Sequence, residues 1–207
     1  MQRIFTFLLD FIFPPSTEEQ ALAALSPDEF LKRSPKAPLP SLPYIKSCLA
    51  YKDPLVRELI WQIKYKKNQH ALKLAGYIVY AGLKNMPLSS PITLVPIPIS
   101  KKRRKERGYN QCELLINEVL RLDIDQKLHE DFITLTRPKH QDRQTDKNRE
   151  ERIKNAEHIF AAVKPPTNME TLIIIDDVTT TGSTLREARE TLLRAGYRDV
   201  RCLTIAH

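Results

Sequence analysis

Residues 172–184 read LIIIDDVTTTGST, and this run limits the fold more than any other part of the chain. Leu172, Ile173, Ile174 and Ile175 form an unbroken apolar, largely β-branched series. A strand with one wet face would alternate, so this one is covered on both faces. Asp176 and Asp177 close the strand. A hydroxyl-rich turn containing Gly182 follows, and a helix is expected from Ser183 until Gly196 stops it. A doubly covered strand that runs straight into a helix belongs to a parallel sheet with helices on its faces, an α/β fold.

The neighbouring segments agree. Residues 92–98 (ITLVPIP) read as a strand ending in a proline turn, 110–122 as a helix, 131–136 and 157–163 as short strands, 137–150 as a long polar loop, and 200–206 as a last strand. Upstream, Asp53 and Pro54 open a helix over 54–65 whose Leu55, Leu59 and Ile63 share one face, and a second helix covers 71–85. Residues 21–25 and 29–32 suggest helical turns, and Pro35, Pro38, Pro40 and Pro43 an extended linker. The division expected is a helical and linker segment, 1–43, and an α/β domain, 44–207. Residues 4–13 are apolar, but Asp10 interrupts them and Pro14 and Pro15 end them, which fits a short packed helix better than a signal peptide. No apolar run reaches the roughly 18–20 residues of a membrane span. Three scattered cysteines, Cys48, Cys112 and Cys202, form no disulfide framework and point to the cytoplasm.

The turn after the strand has a chemistry of its own. Gly182 permits a tight turn and close approach of a ligand. The first amides of the following helix lack internal partners and carry the positive end of its dipole. A phosphate can accept from them and from the hydroxyls of Thr180, Thr181, Ser183 and Thr184. Ionised carboxylates only accept hydrogen bonds, so Asp176 and Asp177 suit sugar hydroxyls; a phosphate and a diol together describe a ribose 5-phosphate. A metal between the carboxylates and further phosphates stays open on spacing alone, as does a receiver-type Asp pair. A Walker loop is excluded, because no GK[ST] follows the glycine.

The formal charge of +8 is concentrated. Residues 101–107 (KKRRKER) and 137–154 hold the whole excess, while the rest of the chain balances. A uniformly basic coat is thereby ruled out, and an anionic partner at a particular place is implied. A solvated helix face or a nucleic-acid contact is the alternative for KKRRKER, although aromatic residues other than Tyr109 are not interleaved with it.

Residues 172–184 resemble the phosphoribosyl pyrophosphate (PRPP) motif of type I phosphoribosyltransferases. Val95-Pro96-Ile97-Pro98 followed by KKRRKERGYNQ resembles the VPVP…RGxNQ signature of ComF-like proteins, and Gln144, Arg152, Asn155, Phe160 and the 50–55 stretch (AYKDPL) extend the match. The resemblance implies a type I phosphoribosyltransferase-like parallel sheet with flanking helices and an N-terminal helical hood over 44–85. It implies that Mg²⁺-bound PRPP is the ligand and that an unidentified acceptor displaces pyrophosphate. Asp176 and Asp177 would hold the ribose, and Thr180, Thr181, Gly182, Ser183 and Thr184 the 5-phosphate. Lys101, Arg103, Arg104, Lys105 and above all Arg107 would hold pyrophosphate, with Gln144 and Arg152 on a mobile loop. Arg107, Asp176 and Asp177 are the catalytic candidates. A non-catalytic PRPP- or nucleotide-sensing partner in DNA uptake, touching single-stranded DNA, is the alternative. Where purine-salvage members carry an Asp near the base, this chain has Thr180. Where ComF-like proteins often carry zinc-binding CxxC pairs, it has Thr17, Gln20, Ser26 and Glu29, from which no tetrahedral zinc site can be built.

Overall fold

The computed structural model describes residues 15–38, 42–88, 91–138, 159–164 and 171–207. The apolar stretch at 4–13, most of the basic 137–154 segment with Gln144 and Arg152, and Asn155 lie outside the described residues.

Two short helices come first, α1 (Thr17–Ala24) and α2 (Pro27–Arg33). Ser16 caps α1, and Ser26 and Glu29 form a reciprocal capping box on α2. Two of the positions that lack cysteine therefore have a hydrogen-bonding role. Leu22 and Phe30 are buried in the main core, so packing anchors these helices. The next element, β1 (Ile45–Leu49), departs from the expected reading: part of the supposed hood is an edge strand of the sheet. Its five residues include Lys46, Ser47 and Cys48, too few and too mixed to register as a strand by pattern. Then follow α3 (Pro54–Trp61), a π-helical turn (Gln62–Lys66) and α4 (Gln69–Lys84), which packs on the sheet and on α6.

The rest is β2 (Ile92–Pro96), α5 (Lys101–Arg107), α6 (Gln111–Leu122), β3 (Leu128–Glu130), β4 (Leu135–Thr136), β5 (Ala161–Ala162), β6 (Thr171–Val178), α7 (Ser183–Ala195) and β7 (Val200–Ala206). The strand expected over 131–136 is displaced. Asp131 Oδ1 accepts from the amides of Ile133 and Thr134 and turns the chain there. The ladder strand therefore lies before that turn, and Leu135–Thr136 pairs antiparallel with Ala161–Ala162 instead.

The main sheet has the order β1-β7-β6-β2-β3, and every pairing in it is parallel. One face carries α1 to α4 and α6 over Leu94, Ile173, Ile175, Leu203 and Ile205. The other carries α7 over Leu172, Ile174 and Cys202. This is the parallel α/β sheet with flanking helices that the buried strand implied. Helices α4 and α6 approach closely at Gly76, where a Cβ would lie 2.5 Å from the Glu118 Cβ.

Candidate functional site

The sheet reverses its direction of growth between β2 and β6. From β2 the chain crosses to β3 on one side, then returns to β6 on the other. The crevice beyond the carboxyl ends of two such strands is where open α/β sheets bind ligands. Pro96 pairs with Ile175, and the Ile97 amide donates to the Ile175 carbonyl at 2.9 Å. The VPIP turn and the Asp-Asp pair are thus placed side by side, although they are far apart in sequence.

Strand alternation separates the two carboxylates. Asp177 follows Ile173 and Ile175 toward the α4/α6 face, while Asp176 follows Ile174. Asp177 is buried, with both oxygens engaged: Oδ2 accepts from Gln111 Nε2 at 2.6 Å, and Oδ1 meets Lys64 Nζ at 2.8 Å. Gln111 Oε1 accepts in turn from Arg107 Nη1 at 2.9 Å. Each residue of the RGYNQ stretch has a task. Arg107 reaches Gln111; Gly108 takes φ +79° to end α5; the Tyr109 hydroxyl donates to the Ile63 carbonyl; Asn110 caps α6 and donates to the Ile97 carbonyl; Gln111 holds Asp177. The result is one polar path from Arg107 to the strand end. Gln111 was visible within a motif, but Lys64 carried no sequence signal, because it lies inside an ordinary amphipathic helix pattern.

Asp176 accepts from the backbone amide of Asp177 at 2.8 Å, and Cys112 Sγ lies 3.8 Å from its Oδ1. Burial, with the neighbouring Asp177 charge second, pushes the Asp176 carboxyl up to about 8. Burial also raises the Cys112 thiol well above its usual range, so it is a packed, protonated group. The side chains of Cys112, Asp176 and Asp177 converge within 4.8 Å, which raises the question of a metal. The donor set does not fit directly bound Mg²⁺. That ion wants oxygen ligands in near-ideal octahedral geometry, whereas one member here is a thiol and the Asp177 oxygens already serve Lys64 and Gln111.

The turn after β6 is built for an anion. Gly182 has φ +74° and is the first cap of α7, so no side chain caps that helix. A Cβ there would meet Leu42 Cδ1 at 2.9 Å and Ile45 Cδ1 at 3.0 Å, so both conformation and space require glycine. Thr180, Thr181, Ser183 and Thr184 are exposed around it. Thr181 Oγ1 accepts from the Ser183 amide at 3.4 Å and donates to Ser183 Oγ at 3.1 Å. His207 Nε2 lies 2.9 Å from the Thr180 carbonyl and ties the turn to the end of β7.

The basic 101–107 segment is an exposed two-turn helix capped by Ser100, so the expected loop is confined to the few residues after β2. The structure sorts its charges. Arg104 makes a two-pronged pair with Glu113 (2.6 and 3.3 Å), and Arg107 joins the Asp177 path. Lys101, Arg103 and Lys105 have no carboxylate partner among the described residues. Aromatic rings that the sequence did not interleave with these cations do reach them. Arg107 lies over the Tyr65 ring (5.1 Å), Lys66 over Trp61 (5.0 Å) and Lys67 over Tyr109 (5.5 Å). Trp61 is 44% and Tyr65 59% exposed. With Tyr51, Arg57, Glu58 and Lys64 they line an open groove of about 610 Å³.

Comparison with known proteins extends this picture. The chain is 30% identical over 151 residues to competence protein ComFC of Bacillus subtilis, covering 73% of this chain and 58% of the relative. It is 30% identical over 155 residues to competence protein F of Haemophilus influenzae, covering 73% of this chain and 59% of the relative. It belongs with the ComF-like proteins. The ComF-like chain is also 29% identical over 148 residues to the DNA utilization protein YhgH of Escherichia coli K12, covering 69% of this chain and 63% of that protein. It thus spans less than two thirds of these relatives. No family model matches. Among solved structures, the allosteric regulatory enzyme of purine biosynthesis matches with a TM-score of 0.45 at 10% identity, covering 70% of this chain and 30% of that one. A phosphoribosyltransferase from Corynebacterium diphtheriae matches with a TM-score of 0.41 at 14% identity, covering 72% of this chain and 80% of that one. Among the described residues no helix is long and apolar enough to cross a membrane.

Proposed function

We propose that the chain binds Mg²⁺-PRPP in the β2/β6 crevice and exchanges its pyrophosphate for an acceptor nucleophile. The supporting observation is the joining of two motifs at one strand end. The uncapped start of α7 and the Asp176–Asp177 pair adjoin the Arg107–Gln111 path at the topological switch point. In this reading the turn from Thr180 to Thr184 holds the 5-phosphate, and Asp176 and Asp177 accept from the ribose hydroxyls. Arg107, with Lys101, Arg103, Arg104 and Lys105, faces the pyrophosphate. Negative charge accumulates on pyrophosphate as its bond to C1 breaks, so cations placed there favour the transition state over the ground state. Gln144 and Arg152 would close over the ligand and exclude water. Mg²⁺ arrives as part of the substrate, on PRPP's own oxygens. Calorimetric titration of Mg²⁺-PRPP tests the proposal: binding by the wild type, abolished in Asp176→Ala/Asp177→Ala, is expected. A wild-type chain that binds no PRPP refutes the site.

A second reading, contact with single-stranded DNA, is favoured by the exposed Trp61 and Tyr65 with Lys66 and Arg107 against them. Base stacking and phosphate contact need that combination. Under it, DNA affinity falls steeply with salt, and neutralising Lys101, Arg103 and Lys105 flattens the slope. A shallow slope that those changes leave alone speaks against it.

A further inference from the structure

Lys64 occupies an unusual place in the chain. It lies in the π-helical turn Gln62–Lys66, a form common at functional sites and rare elsewhere. That turn is held from several directions. Gln62 is fully buried; its Nε2 donates to Glu58 Oε1 (2.7 Å) and Glu19 Oε1 (3.0 Å), and its Oε1 accepts from Asn68 Nδ2 (3.2 Å). The Tyr109 hydroxyl satisfies the Ile63 carbonyl at 2.7 Å. So α1, α3 and the RGYNQ stretch all fix the backbone that aims Lys64 at Asp177.

The two partners of Asp177 differ in freedom. The Gln111 amide is pinned between Arg107 and Asp177. The Lys64 ammonium ends a flexible four-carbon stem, is 22% exposed, and has Asp177 as its one ion-pair partner among the described residues. Its stem also lines the 610 Å³ groove beside Trp61 and Tyr65, which leaves it room to turn. A diphosphate entering the crevice brings more negative charge than one carboxylate. Sugar hydroxyls can replace an ammonium on Asp177, since they too donate.

We propose that Lys64 is the movable cation of the site. It holds Asp177 in the free protein and transfers to the diphosphate of a bound sugar diphosphate, releasing Asp177 Oδ1 to the sugar hydroxyls. This inference rests on the PRPP reading above and assigns a residue that the motifs do not contain.

The test compares three ligands, PRPP, ribose 5-phosphate and inorganic pyrophosphate, by calorimetry at fixed ionic strength on wild type, Lys64→Met and Lys64→Arg. Loss of one charge-assisted contact predicts about tenfold or greater weakening of PRPP and pyrophosphate in Lys64→Met. Ribose 5-phosphate, which has no diphosphate, binds as well as before or better, and Lys64→Arg stays within about threefold of wild type. Equal weakening of all three ligands marks a merely structural residue and overturns the proposal, as does no weakening of any. If Lys64→Met does not fold, Lys64→Met/Asp177→Asn removes both charges together. Pyrophosphate binding no weaker there than in Asp177→Asn alone overturns the proposal as well. A wild type that binds ribose 5-phosphate and PRPP keeps the site reading alive whatever Lys64 does; a wild type that binds neither ends both.

Discussion

Replacing Asp176 by Asn makes the protein more stable near neutral pH and flattens its pH dependence. Burial and the charge of Asp177 raise the Asp176 carboxyl from 3.8 to about 8 in the folded chain. The unfolded chain keeps the ordinary value, so between those two pH values the folded state binds more protons. Stability therefore falls as pH rises through this window. Below about pH 4 both states are protonated and the penalty vanishes; above about 8 both are ionised and it is complete. At about 1.4 kcal/mol per tenfold change, a rise of this size sets a ceiling near 6 kcal/mol. Water reaches the half-buried carboxyl and its charge is shared with Asp177, so about 2 kcal/mol is expected at pH 7. Asn is similar in shape and never ionises. Urea unfolding of wild type and Asp176→Asn at pH 5, 7 and 9 should show the variant gaining from 5 to 9, with a benefit of about 2 kcal/mol at pH 7. Under the PRPP reading the same variant loses a ribose acceptor and binds PRPP at least tenfold more weakly. Parallel pH profiles for the two proteins would refute the reasoning: Asp176 would then ionise as freely folded as unfolded.

Two further outcomes are expected. Gly182→Ala places a Cβ against Leu42 and Ile45 and forces an alanine to φ +74°, so it should cost about 1–3 kcal/mol in thermal or urea unfolding and abolish phosphate binding; an unchanged melting temperature would contradict the crowding. Chelators and added zinc should leave the melting temperature unchanged, whereas Phe30→Ala should lower stability by about 3–5 kcal/mol, because packing rather than metal anchors α1 and α2.

The LIIIDDVTTTGST run alone determined that a doubly covered strand passes through two carboxylates and a glycine turn into a helix. Local periodicity and turn chemistry act over a few residues, so they survive in the linear sequence, and the α/β class followed from them. The RGYNQ stretch was legible as a motif, but not the tasks of its members. Other features needed the folded chain, because their causes are contacts between distant segments. Ile45–Leu49 is a strand through pairing with β7, not through its own mixed residues. Asp131 ended one expected strand by capturing two amides, a competition that propensity does not score. The basic helix looked isolated from aromatic residues until the π-turn brought Tyr65 beneath Arg107. Lys64 has no meaning in sequence: its role comes from that turn's geometry and from a carboxylate that only the parallel sheet sets within 2.8 Å of it.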